Sequence, residues 1–282
     1  MIIARVFPRR TRATPRDALA FVGDPPAVPP RVDAVYISAA FTWDLPEAER
    51  LKRAWSHIAP VAIGGPATGM PGADFKPGVF LELGYTITSR GCPNNCWYCC
   101  VWKREGRQVR ELPIEEGWII QDDNLLACSD KHILAVIDML RRQKKPRQFA
   151  GGLEAARFEQ WKAEAIASVK PKQVFFAYDL PEDFEPLAVA ADLCWKVGFT
   201  KESHKVRAYV LCGYPGDTLE QADKRMNAVL GLGVVPMAMR WMPDDARAWD
   251  VFQRRWARPA IICDGMKLVR SPLQAAFDAV TR

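Results

Sequence analysis

Three thiols fall within one short run, Thr88-Ser89-Arg90-Gly91-Cys92-Pro93-Asn94-Asn95-Cys96-Trp97-Tyr98-Cys99, at the spacing Cys-x3-Cys-x2-Cys. Three thiolates on one loop can hold three corners of a cubane [4Fe–4S] cluster, leaving one iron without a protein ligand and open to a small molecule. Tetrahedral zinc is the competing use of such thiols, and zinc wants a fourth protein ligand. Cys100 is a poor fourth ligand, because adjacent residues rarely face the same metal, and it reads as a bystander thiol. His57 or His132 could complete a zinc site, but nothing in their spacing selects them. The other cysteines, Cys128, Cys194, Cys212 and Cys263, are scattered in apolar surroundings. A disulfide framework would be spread through a small secreted domain, so the cluster of thiols points to a metal site in a cytoplasmic protein.

The elements that must position this loop form a regular series. Ile2–Val6 reads as a short strand, followed by a stiff connector containing Pro25, Pro26, Pro29 and Pro30. Asp33–Ala40, Leu45–Ile58 and Val61–Gly65 then read as strand, helix and strand, one βαβ-like unit, with a Gly/Pro-rich loop from Pro66 to Gly78. Beyond Leu83 the expected strands are Tyr85–Ser89, Trp118–Gln121, Gln148–Gly151, Gln173–Tyr178, Lys205–Cys212 and Val235–Arg240. Helices are expected at Lys131–Gln143, Arg157–Ser168, Pro186–Val197 and Thr218–Leu232. The connection from Ser89 to Trp118 looks mostly like loop. Such alternation implies an α/β fold with a parallel sheet covered by helices. Right-handed crossovers would curl six units into a partial (β/α)6 barrel, whose active site lies at the C-terminal strand ends.

The cysteine spacing, with an aromatic just before the last Cys and a place after the first barrel strand, resembles the radical S-adenosylmethionine (SAM) superfamily. The resemblance covers roughly Leu83 to Pro243. It implies that SAM binds the open iron through its amino and carboxylate groups. Electron transfer from the cluster would then cleave the sulfonium bond and release a 5′-deoxyadenosyl radical. It also implies an electron donor such as flavodoxin or ferredoxin.

Carried over residue by residue, Cys92, Cys96 and Cys99 would hold the cluster, and Tyr98 would pack near the adenine. Asp122, Asp123 and Asn124 stand where the family often has Gly-Gly-Glu; the acids are present and the glycines are not. Asp123 is the chosen acceptor for the SAM amino group, the alternative being that this polar run caps the helix near Ser129. Glu154, after Gly151-Gly152-Leu153, could meet the ribose or amino group, and Arg157 the SAM carboxylate; either could equally be a helix-end charge. Asp179 would be a ribose ligand or a turn former. Leu211 and Gly213 belong to a fifth-strand motif that abuts the adenine, with Asp217 or Thr218 capping the next helix. Met239 would offer backbone groups to the adenine edge or simply pack in the core.

Residues 1–80 resemble a truncated Rossmann-like α/β segment, such as precedes the barrel in cobalamin-dependent members. The cobalamin pattern is missing, since Ile58, Ala59 and Pro60 follow His57, so no cobalamin is expected. With strands too few for an independent sheet, this segment is expected to need a neighbour and to help close the site, Phe41, Trp43 and Phe75 serving as covers. Residues 81–245 would be the barrel and 246–282 a C-terminal helical extension.

Composition bounds the partners. The 282 residues are 49% hydrophobic and 26% charged, which excludes wholesale disorder, and the net charge of +6 is compatible with an anionic substrate. No run approaches the roughly 18 apolar residues of a membrane span, so no membrane partner is expected. The basic run Arg141-Arg142-Gln143-Lys144-Lys145-Pro146-Arg147 reads as a solvated helix end; it is compatible with a nucleic-acid partner but does not establish one. A non-catalytic iron–sulfur carrier and a zinc-stabilised, RNA-directed binding protein are the alternatives to an enzyme.

Overall fold

The computed structural model describes residues 1–241, 247–257 and 262. The chain is mixed α/β with parallel sheets and divides into two compact units, Met1–Lys145 and Pro146–Arg282.

The first unit begins with β1 (Ile3–Phe7), β2 (Ala20–Val22), β3 (Ala34–Ser38), α1 (Leu45–Trp55) and β4 (Val61–Gly64). These strands form a four-stranded parallel sheet in the order β2-β1-β3-β4, and β3-α1-β4 is the expected βαβ unit. Helix α1 buries Ala48, Leu51 and Trp55, one stripe at helical spacing. That stripe joins Ala4, Val6, Val35, Ile37 and Ala39 in a core of its own. The Trp55 indole N–H donates to the Gly23 carbonyl at 3.1 Å, so its polar edge is satisfied as its ring is buried. The expectation of too few strands is therefore corrected: Ile3–Phe7 and the three-residue β2 complete a four-stranded sheet with its own core.

The unit continues with β5 (Tyr85–Thr86), β6 (Ser89–Arg90), α2 (Val101–Arg104), β7 (Arg110–Glu111), β8 (Ile119–Ile120) and α3 (Asp130–Arg142). The single strand expected over Tyr85–Ser89 is two: β5 runs parallel to β8, whereas β6 pairs antiparallel with β7. The chain changes partner between Thr86 and Ser89, which a one-dimensional pattern cannot register. Ser129 caps α3, its side chain accepting the His132 N–H. Ile133, Val136, Ile137 and Leu140 form the buried stripe of that helix.

The second unit comprises β9 (Gln148–Leu153), α4 (Gln160–Ser168), β10 (Gln173–Tyr178), α5 (Phe184–Lys196), β11 (Val206–Cys212), α6 (Leu219–Gly231), β12 (Val235–Arg240) and α7 (Arg247–Trp256). Strands β9, β10, β11 and β12 lie side by side, all parallel. Strand β10 is almost continuously apolar and buried, as a parallel strand covered on both faces requires. Phe175 stacks on Tyr209 of the adjacent β11, ring centroids 4.6 Å apart. The strand expected to end at Gly151 runs on through Gly152 and Leu153 as β9. Phe149 and Leu153 pair with Val174 and Phe176, so β9 takes four steps where β10 takes two. Gly152 absorbs the bulge with φ +80. Of the expected C-terminal extension, α7 is the principal described part; Cys263 and Pro243 lie outside the described residues.

Trp55→Ala should destabilise the protein by about 3–5 kcal/mol, because it empties the centre of the first core. Urea unfolding followed by circular dichroism measures this; a loss below about 1 kcal/mol would show that the N-terminal sheet is not a cooperative core.

Candidate functional site

Cys92, Cys96 and Cys99 lie between β6 and α2, on a loop stapled by its own backbone and by three polar residues that follow β8. Within the loop, the Cys99 N–H donates to the Cys96 carbonyl at 3.1 Å, and the Trp102 indole N–H reaches the same carbonyl at 2.9 Å. The Cys92 N–H meets the Gly106 carbonyl at 3.3 Å.

The Asp122-Asp123-Asn124 run then grips the chain leading into the loop. Asp122 is buried and accepts the Thr88 N–H and hydroxyl, each at 2.6 Å, and the Ser89 hydroxyl at 2.8 Å. Burial holds its carboxyl above the usual range despite these donors. Asp123 accepts the Gly91 N–H at 3.0 Å and faces the Arg104 guanidinium at 3.6 Å; burial again outweighs these partners and raises its carboxyl. Asn124 donates from Nδ2 to the Cys92 sulfur at 3.3 Å. Three successive residues thus hold Thr88-Ser89, Gly91 and Cys92. Ser129 caps α3 by itself, so the alternative that the acidic run caps this helix is corrected.

Two further residues brace this arrangement: His132, which the sequence offered only as a possible zinc ligand, and Glu105, which it did not single out. His132 Nε2 lies 3.2 Å from the Thr88 hydroxyl oxygen. Because the single Thr88 proton goes to Asp122, Nε2–H is the donor. Glu105 is buried and accepts the Gly72 N–H, the Arg104 Nε–H at 2.9 Å and Arg110 at 3.2 Å, with Arg90 at 3.8 Å. Burial alone would raise its carboxyl, yet Arg104, the Gly72 N–H and Arg90 hold it below the usual range. Glu105 ties the Gly/Pro-rich loop to the cysteine loop, and Arg90 adds a bond to the Ala73 carbonyl. The available signal was one acid within the basic stretch Lys103–Arg110. Phe41 and Trp43, expected as covers, stack on each other with centroids 4.8 Å apart, and Arg9 lies over the Phe41 ring.

The donor set is three soft thiols, which fits an iron–sulfur cluster better than a hard cation. The Val101 N–H donates to the Cys99 sulfur at 3.4 Å. Burial pushes the Cys99 thiol up to about 11, with Cys100, Cys96 and Cys92 adding to the rise, so the sulfurs lie within electrostatic reach of one another. Among the described residues, no three His, Cys, Asp or Glu side chains are gathered closely enough to hold a metal ion, so a cluster bound here would have to draw the sulfurs together. Tyr98 packs edge-on against Trp97, centroids 5.4 Å apart.

In the second unit, the remaining expected ligands hold one another or the backbone. Glu154 and Arg157 pair at 2.7 Å. Asp179 follows β10, where its N–H donates to Asp183. The Leu211 carbonyl accepts Arg225 at 2.9 Å, and the Gly213 N–H donates to Asp217 at 2.9 Å. Asp217 and Arg225 form a buried pair at 2.7 Å, while Thr218 and Gln221 form the capping box of α6. Gly213 has φ +71, and a Cβ there would lie 3.2 Å from the Trp249 indole. Met239 is opposite Leu211 in register and is 43% exposed.

No protein-family model matches the chain, and no curated protein matches it. Among the described residues, no helix is long and apolar enough to cross a membrane. Among the described residues, none of the seven cysteines is in a disulfide.

Asp122→Ala leaves two buried hydroxyls and an N–H without their acceptor and should cost on the order of 3 kcal/mol in thermal unfolding. A melting temperature equal to the parent's would show that this carboxylate does not organise the loop. Brief alkylation of the metal-free protein at pH 8 gives a second check. Burial pushes Cys128, Cys194 and Cys212 up to about 12, so these thiols stay protonated and should be protected. Exposed Cys100 should react first, and Cys99 should label slowly until the pH nears 11. Peptide mass spectrometry reads the order; Cys128 or Cys194 labelling as fast as Cys100 would contradict it.

Proposed function

We propose that the chain is a radical SAM enzyme: Cys92, Cys96 and Cys99 hold a [4Fe–4S] cluster, and the substrate is an organic molecule whose identity the residues do not specify. The observation that carries this reading is the Cys-x3-Cys-x2-Cys loop, whose lead-in is held residue by residue by the run after β8 and two of whose sulfurs accept N–H bonds. A cluster with three protein ligands supplies an open iron for SAM and the electron that cleaves its sulfonium bond.

The chain's own residues do the positioning. Asp122 and Asp123 fix the backbone from Thr88 to Gly91 and so shape the loop, and they remain assigned SAM contacts, Asp123 as the acceptor for the amino group. Tyr98, within the loop, is the aromatic assigned to the adenine. Glu154, Arg157, Asp179, Leu211, Gly213 and Met239 are the assigned SAM contacts, and the Glu154–Arg157 pair must open if both are to meet the ligand. A partial (β/α)6 barrel is the architecture that this reading requires, with a cytoplasmic location and a flavodoxin or ferredoxin as reductant.

Anaerobic reconstitution with iron and sulfide, reduction with dithionite and addition of SAM should yield 5′-deoxyadenosine. Cys92→Ala, Cys96→Ala and Cys99→Ala should each abolish the brown absorbance and the product, while Cys100→Ala should leave both largely intact. Stoichiometric zinc without iron after strictly anaerobic preparation would replace this reading with the zinc-stabilised one. A cluster without 5′-deoxyadenosine would leave a carrier.

A further inference from the structure

We propose that Asn124 is the positioning residue of Cys92, holding its sulfur and setting the electron affinity of whatever the three cysteines bind; this rests on the reading of those cysteines as cluster ligands. The side chain is buried, and its Nδ2–H donates to the Cys92 sulfur at 3.3 Å. Residue type follows partner type along the run after β8. Asp122 and Asp123, which as carboxylates only accept, stand opposite the hydroxyls and N–H groups of Thr88, Ser89 and Gly91. The one amide stands opposite the one sulfur. A carboxylate at position 124 would set two negative groups against each other once Cys92 ionises.

An N–H directed at a ligating sulfur draws electron density from it and favours the more electron-rich state, which raises the reduction potential of an iron–sulfur centre. The Val101 N–H does the same for Cys99, but it is backbone, and only proline would remove it, restricting the dihedrals of the loop at the same time. Asn124 is therefore the donor that mutation can test.

The experiment compares parent, Asn124→Leu and Asn124→Asp after anaerobic reconstitution, recording iron content, thermal unfolding and the midpoint potential by EPR-monitored redox titration. Asp keeps the shape of Asn and guards against a packing defect in the Leu variant. The expected result is a lower midpoint in both variants, further lowered in Asn124→Asp. Selective loss of iron at an unchanged melting temperature also supports the assignment, since the sulfur is then no longer held. Full iron with the parent midpoint in both variants overturns it. A parent that takes up no iron defeats the cluster reading itself and is told apart by its iron content alone.

Discussion

A buried carboxylate must find its donors within reach, and Asp122 finds all of its observed donors on two consecutive residues, Thr88 and Ser89. That requirement fixes where the chain leaving β5 can go. With Thr88 held from one side by Asp122 and from the other by His132, β6 is set off from β5 and turns to pair with β7. The cysteine loop begins three residues beyond Ser89, so its origin is determined by this one cluster of short hydrogen bonds. Asp123 and Asn124 extend the same grip to Gly91 and Cys92. Glu105, with three arginines near it, closes the far side of the loop and joins it to Gly72. The hydrogen bonds around the loop fix its lead-in and its far side, while the three sulfurs themselves are not gathered around one point.

Much of the fold was legible where a strand carries an apolar run of its own. Strands β10 and β12 match their expected limits, because each is a short, mostly apolar run that follows a helix and its turn. Legibility failed where pairing decides the structure. The three residues of β2 carry no pattern of their own and are strand only because β1 lies beside them. The split between β5 and β6 follows from a change of partner, and the Gly151-Gly152 bulge from a register that the neighbouring strand imposes.

The site divides in the same way. Cysteine spacing is a property of the sequence, so the loop could be found there. The direction of a polar side chain is not: Asp122, Asp123 and Asn124 were placed correctly after a strand, but whether they face a ligand or the neighbouring loop depends on what lies across from them. Glu105 carried only the weak signal of an acid among bases, and His132, weighed as a zinc ligand, sits on the buried side of an amphipathic helix and faces Thr88 instead.

The account rests on three thiols binding a cluster that keeps one iron open. The most direct measurement is the low-temperature EPR spectrum of the reconstituted, reduced protein with and without SAM. The account predicts the signal of a reduced [4Fe–4S] centre whose g values shift when SAM is added, because the ligand meets iron. A spectrum unchanged by SAM, or a protein that holds zinc and gives no cluster signal, would contradict it.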